Sequence, residues 1–581
     1  MKFLRNLLAS ILGFFIALFI LFILFAFIAS AIGSTDKITI KANSVLELDF
    51  SIPMKDYAPK SNDPLGELFD FADEKIGLNS ILNAIENAKN DKNIKGISIK
   101  NYTVFGGIAQ IQAIRNKVEG FKESGKFVYA FSDTYGQKNY YLSSVADSLF
   151  LNPIGVVDFK GLNAEILYFK DFEDKYGVKM EVIRHGKYKS AVEPYLTNKM
   201  SNANREQITS FLQSIWSEIL EDISKSRNIT IDKLNLIADN SLGRNANTSK
   251  ENNLIDSAIY EDEYNIKIKN AVGKKFKNIS INDYIKSGKG QISSIEKNKI
   301  AVIFAQGQIM YGKGNENIIG QEIIIKALKK ARKDKNVKAI VLRINSPGGD
   351  ALASDIIWRE LELTKKEKPL VVSMGNVAAS GGYYIACNAD KIFAEPTTIT
   401  GSIGVFGAVP NVHQLATKIG INAEQVSTSK HPNYSVFEPI TKEFYAVTKE
   451  SVEHIYKTFV NRVAIGRNMT FEQVDKIAQG RVWTGKEAVK LGLIDSLGGL
   501  NDAVKTAAKL AEITKYRVRN YPSYKKRLKD AIKRFPFTKA SKDKILKEAL
   551  GNETFKLYSN LQQLKKLKGI QARLPFIIEI K

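Results

Sequence analysis

The 581-residue sequence contains one cysteine, Cys387, so a disulfide within the chain is impossible. A chain this long buries a core without such staples, and its cysteine count suits any compartment. Histidine is nearly as scarce. His185, His413, His431 and His454 are scattered, with no HExxH and no pair at ligand spacing, which argues against a metal site. The net charge is +24, yet no recognition-helix or aromatic RNA-binding motif accompanies it, so nucleic acid is not an expected partner. The charge is also unevenly spread. Residues 515–581 hold 19 Lys+Arg against 5 Asp+Glu, which leaves only +10 for the first 514 residues. A solvated basic surface is the favoured reading of that tail, and attraction to anionic lipid headgroups ranks second.

Between Leu7 and Gly33 there is no charge, no Asn, no Gln and no Pro. Those 27 residues, LLASILGFFIALFILFILFAFIASAIG, exceed the ~30 Å hydrocarbon core when helical. Lys2 and Arg5 precede the run, so the positive-inside rule puts residues 1–6 in the cytoplasm and the rest of the chain outside. Ala29-Ser30-Ala31 resembles a signal-peptidase site, but the apolar run is about twice a usual 7–15-residue h-region. An uncleaved signal anchor over 7–33 is therefore expected.

Beyond the anchor, β-branched runs alternate with helical stretches, which indicates an α/β protein. The chain is also duplicated. Asp91-Lys92-Asn93-Ile94-Lys95-Gly96-Ile97 matches Asp334-Lys335-Asn336-Val337-Lys338-Ala339-Ile340 at an offset of 243. At the same offset Tyr140-Tyr141 matches Tyr383-Tyr384, Asp147 matches Asp390, Pro153 matches Pro396 and Gly161 matches Gly404. RNIT at 227–230 then matches RNMT at 467–470, and LID at 254–256 matches LID at 493–495. Two copies of one α/β unit are expected, 38–290 and 297–512, followed by a basic extension over 513–581.

The copies differ where chemistry is conceivable. KAIVLRINSPGGDALAS (338–354) reads as a buried strand, a glycine turn and a helix start, whose open N–H groups suit an oxyanion. LVVSMGNVAASGGYY (370–384) reads as a strand ending in Ser380, with Gly381 and Gly382 directly after it. Ser380 is equally readable as a helix N-cap or as a nucleophile beside the Gly381 N–H. The first copy has Gln137 opposite Ser380 and Lys138-Asn139 opposite the two glycines. Conversely, pairing Glu193-Pro194 with Glu438-Pro439 sets Lys189 of the first copy opposite Tyr434.

RINSPGG (343–349), AASGGYY (378–384), TGSIG (400–404) and YKSAVEP (188–194) together resemble the Clp protease and crotonase group. With the doubled unit and the N-terminal anchor, the chain is similar to signal peptide peptidase A, the long-form family also called protease IV, in peptidase family S49. The resemblance implies two tandem Clp/crotonase-like α/β domains after a transmembrane helix. It implies a serine peptidase in which Ser380 is the nucleophile and Lys189 the general base and acid. Ser402 would orient the lysine, and Gly349 and Gly381 would form the oxyanion hole, with no metal or organic cofactor. It further implies cleaved signal peptides and other apolar peptides as substrates, a homotetramer, and a single-pass inner-membrane location with the domains on the periplasmic side.

A lysine base must be neutral, so Lys189 is expected to be buried, with Glu193 turned away from its amine. Two rival readings stand beside this one. A crotonase-type acyl-CoA enzyme shares the fold but sits poorly with an external location. A catalytically inactive membrane scaffold would keep the anchor and lose the chemistry.

Overall fold

A computed structural model of the chain describes residues 2–32, 38–59, 75–273, 275–429, 434–524, 551, 555 and 570–573. His431, Gly33 and most of SYKKRLKDAIKRF lie outside the described residues. Helix Lys2–Ile32 is the one described helix long and apolar enough to cross a membrane. Its Arg5–Ile23 stretch has a mean hydropathy of 2.6, and none of it is buried against the protein.

The rest of the chain is α/β, built from two units with the same plan. The first is a parallel sheet in the order Ser257–Ala258, Ser148–Val157, Phe127–Tyr135, Ile94–Ile99, Ser44–Leu48, Lys277–Ser280. The second, eight-stranded, branches from Leu370–Ala379 to Ile399–Gly401 and an antiparallel Val482–Thr484, and carries the same parallel path, Ser496–Leu497, Lys391–Ala394, Leu370–Ala379, Val337–Ser346, Lys299–Gln306, Arg517–Tyr521. Helices cover such sheets, so their strands read as near-continuous apolar runs; in Val337–Ser346 eight of ten residues are buried. The last strand lies past residue 512, so the second sheet extends beyond the boundary drawn from sequence matching.

The matched residues make matched bonds. Tyr140 Oη donates to Leu254 O and Tyr383 Oη to Leu493 O. Asp147 accepts from the Val128 N–H, as Asp390 does from Leu370. Asp256 accepts from Leu149 N and from Arg227, as Asp495 does from Ile392 N and from Arg467. Each copy carries a 26-residue helix, Asn202–Arg227 and Lys442–Arg467, stopped by a left-handed asparagine, Asn228 or Asn468. Asparagine tolerates that conformation, and the following Thr230 or Thr470 caps the next helix with its side chain.

A third, six-stranded sheet joins the copies. Its order is Ile318–Gly320, Gln308–Met310, Gly348–Asp350, Ile570–Arg573, Phe406–Asn411, Lys179–Arg184. Lys179–Arg184 of the first copy lies antiparallel along Phe406–Asn411 of the second, with Arg184 opposite Phe406. The copies also share a core, since Ala379, Ile399 and Val482 of the second pack into the apolar cluster of the first.

Candidate active site

Ser380 follows strand Leu370–Ala379 and precedes the short helix Gly381–Tyr384. Its backbone has φ 55° and ψ −117°, a conformation that L-residues adopt only at a cost of about 1–3 kcal/mol. Its side chain makes no cap hydrogen bond, so its place at the helix start is not that of a cap. The hydroxyl is fully buried, 2.9 Å from Lys189 Nζ and 3.4 Å from Gly404 O. The first copy has relaxed at the same point. Gln137 lies inside its helix, Gly136 before it has an ordinary extended backbone, and the Gln137 side chain accepts from the N–H groups of Lys160 and Gly161.

Lys189 reaches Ser380 across the joint between the copies. The strand Lys179–Arg184 delivers the chain to a loop docked on Gln479 and Gly480, where Tyr188 N donates to Gln479 O at 2.9 Å. Gln207, on helix Asn202–Arg227, donates to Tyr188 O and Ser190 Oγ and so braces the residues on either side of Lys189. Gly480 has φ +81°, and a β-carbon there would lie 2.7 Å from the Lys189 N, Cα and Cβ. Only glycine lets the two backbones approach so closely.

The lysine is wholly buried, and no ion pair among the described residues includes it. Burial alone drives its pKa well below the ordinary lysine value. Glu193 turns away and accepts from Ser201 N and Asn204 Nδ2. The amine has three neighbours: Ser380 Oγ, Ser402 O at 3.2 Å and Ser402 Oγ at 3.1 Å. Ser402 Oγ in turn lies 3.3 Å from Gly480 O, to which it donates. Its lone pairs therefore face the lysine. A neutral amine has two N–H bonds and one lone pair to divide among these three oxygens.

Beside this pair the backbones of Gly348, Gly349 and Gly381 converge. A β-carbon on Gly381 would stand 3.2 Å from Gly349 N, and one on Gly348 would stand 2.7 Å from Gly381 N. Asp350 fixes this turn by capping helix Ala351–Lys365 through the Ala353 N–H at 2.7 Å. The sequence expectations for Ser380, Lys189, Ser402, Gly349 and Gly381 thus fall within one small volume. The supporting Gln207, Gly480 and a buried Arg343–Asp56 pair at 3.0 Å escaped sequence reasoning. Arg343 also donates to Ser373 Oγ and Met374 O. The only signal for this pair was the lone charge in the apolar run Ile340–Ile344.

Relatives identify the class to which this duplicated α/β chain belongs. A model of peptidase family S49 matches the chain twice, over residues 120–274 and 362–514. Protease 4 of Haemophilus influenzae is 36% identical over 524 residues, covering 87% of this chain and 85% of its own. Protease 4 of Salmonella typhi is 38% identical, covering 84% and 81%. The chloroplastic serine protease SPPA of Arabidopsis thaliana is 34% identical, covering 73% and 64%. The chain belongs to peptidase family S49.

Proposed function

We propose that the chain is a membrane-anchored serine endopeptidase working through a Ser380–Lys189 dyad. The observation that carries this reading is the wholly buried amine 2.9 Å from a hydroxyl on a strained turn, with no carboxylate beside it. Neutral Lys189 accepts the Ser380 proton as Oγ attacks a peptide carbonyl. The N–H groups of Gly349 and Gly381 receive the developing oxyanion. The lysine then gives its proton to the leaving amine, and water hydrolyses the acyl-enzyme. Ser402 acts on Lys189 alone, holding both of its N–H bonds so that the lone pair faces Ser380.

The anchor is helix Lys2–Ile32, and the positive residues before its apolar stretch favour an extracytoplasmic active site. Apolar peptides released into the membrane, cleaved signal peptides among them, fit an enzyme held at that surface. Both halves of the dyad come from one chain, so the chemistry itself does not require the homotetramer implied by family resemblance.

The test is labelling of the purified protein with a fluorophosphonate, followed by peptide mapping, together with Ser380→Ala and Lys189→Ala. The expected result is label on Ser380, and at least a thousandfold loss of apolar-peptide hydrolysis in both variants. Full activity in either variant rules out the dyad.

A further inference from the structure

The loop His185–Lys189 carries the lysine to Ser380, and one side chain of the other copy reaches both of its ends. Tyr456 lies on helix Lys442–Arg467 and is 2% exposed. Its ring stacks on the His185 ring, with centroids 3.7 Å apart and planes 26° from parallel. His185 also meets Glu453, one turn earlier on the same helix, through Nδ1 at 2.8 Å, and its N–H donates to Val405 O.

The other end is held through the Tyr456 hydroxyl. That hydroxyl donates to Asp475 Oδ1 and accepts from Gln479 Nε2 at 3.1 Å. The second N–H of the Gln479 amide goes to the same Asp475 oxygen at 2.7 Å, which closes a triangle of three side chains. The triangle holds Gln479 at φ +53°, a left-handed angle that a β-carbon disfavours. At that angle the Gln479 carbonyl accepts from Tyr188 N at 2.9 Å, and Gly480 follows against the Lys189 backbone. A β-carbon on Gly186 would lie 2.5 Å from the same carbonyl oxygen, so the loop wraps it closely.

We propose that Tyr456 is a positioning residue for Lys189, its ring fixing the start of the loop and its hydroxyl, through Gln479, fixing the end; this rests on the Ser380–Lys189 reading. Tyr456 touches no reacting atom. Without its hydroxyl, Asp475 and Gln479 lose their shared partner, and the strained Gln479 angle relaxes. The carbonyl that holds Tyr188 then turns away, and the loosened loop admits water to the amine, which favours its charged form. The group that titrates is Lys189. It faces the hydroxyls of Ser380 and Ser402, and the Arg184 guanidinium reaches its backbone carbonyl at 3.4 Å. The His185–Glu453 pair adds little, because its side chains are 24% and 34% exposed and such pairs contribute little. The grip at His185 is the ring stack.

The experiment is steady-state kinetics of the full-length protein in detergent on an apolar peptide across pH, with fluorophosphonate labelling and urea unfolding. The variants are Tyr456→Phe, Gln479→Gly, His185→Phe, His185→Ala and, as control, Tyr140→Phe. The control removes a buried hydroxyl bond of the same kind, to Leu254 O at 3.0 Å, in the core of the first copy. Tyr456→Phe is expected to lose about tenfold in kcat with KM nearly unchanged, and the rising limb of its kcat/KM profile moves to higher pH. Gln479→Gly should do the same, because glycine accepts that backbone angle freely but is not held to it. His185→Phe keeps a ring on Tyr456 and should stay within about twofold of wild type, whereas His185→Ala should resemble Tyr456→Phe. Tyr140→Phe should unfold at lower urea with its limb unmoved. A Tyr456→Phe protein changed no more than Tyr140→Phe overturns the proposal, while labelling of Ser380 leaves the dyad standing. Equal losses in His185→Phe and His185→Ala overturn the ring grip and the proposal with it. If Tyr456→Phe does not fold, Gln479→Gly decides, and an unmoved limb there overturns the proposal. Wild type that takes no label at Ser380 overturns both this proposal and the dyad.

Discussion

Replacing Gly480 with alanine separates the position of Lys189 from its presence. The added methyl would stand 2.7 Å from the Lys189 N, Cα and Cβ, where carbon contacts settle at about 3.5–4.0 Å. The lysine backbone must then retreat by roughly 1 Å, because the obstacle is main chain and cannot rotate aside. Nζ starts 2.9 Å from Ser380 Oγ, so that retreat takes it past hydrogen-bond reach of about 3.5 Å. A misplacement of that size costs about a hundredfold in turnover. Gly480 also has φ +81°, and alanine there adds about 1–2 kcal/mol of backbone strain. Gly125→Ala is the control. It has φ +75° but nothing within 4 Å of its β-carbon, so it carries the strain without the collision. Steady-state kinetics on an apolar peptide, alongside urea unfolding, should show both variants destabilised. Only Gly480→Ala should lose kcat, with KM nearly unchanged. Equal kcat values for the two variants would refute the reasoning.

Because the base works neutral, kcat/KM should rise with pH through the native pKa of Lys189 and level off well below the ~10.4 of a free lysine; a profile still climbing at that pH excludes it. The unfolded chain binds a proton there that the native state does not, so Lys189→Met should raise stability at neutral pH, with the gain fading towards ~10.4. Asp56→Ala leaves Arg343 charged and unpaired in the interior, at a cost of about 3–5 kcal/mol in urea unfolding. Adding Arg343→Met should recover most of that loss, and no recovery would mean the pair is not the cause. Burial pushes the Glu395 carboxyl up to about 7. The native state then keeps a proton that the unfolded chain gives up near pH 4.3, and stability falls as pH rises between the two. Glu395→Gln should be neutral at pH 4 and stabilising by about 4 kcal/mol at pH 8; equal effects at both would refute the assignment.

The duplication was legible because both copies keep residues with one bonding duty, such as Tyr140 with Tyr383 and Asp147 with Asp390. Ser380 was half legible. Small residues around a strand end suit a cap or a nucleophile alike, and what separates the two is a backbone angle that composition does not encode. Lys189 was legible only through resemblance and through Tyr434 standing at the matching position. In a chain with 85 Lys+Arg, nothing local distinguishes a buried lysine from a solvated one. Asp56 and Arg343 are 287 residues apart, and no local pattern links them. The strand Ile570–Arg573 escaped notice for a different reason. Its backbone, not its side chains, meets Gly348–Asp350 and Phe406–Gly407, and backbone pairing leaves almost no trace in sequence.

On the proposed dyad, the division of the site between two copies follows from the chemistry of a lysine base. Histidine is half neutral near physiological pH even in water, so it can serve from an open cleft. Lysine cannot: it must be wholly desolvated, and its pocket must offer acceptors for two N–H bonds yet no carboxylate. A cleft on one α/β unit leaves a wet side. Here the second copy supplies Ser402, Gly404 and Gly480 as the floor, and the first supplies the lysine together with the loop and helix Asn202–Arg227 that close over it. Loosening the joint anywhere, at Gln207, at Gly480 or along Lys179–Arg184, therefore admits water to the amine and returns it to the charged state before any residue that touches substrate is altered. Variants at the joint should shift the rising limb of the pH profile to higher pH, and variants of the glycine pocket should lower the plateau without moving it.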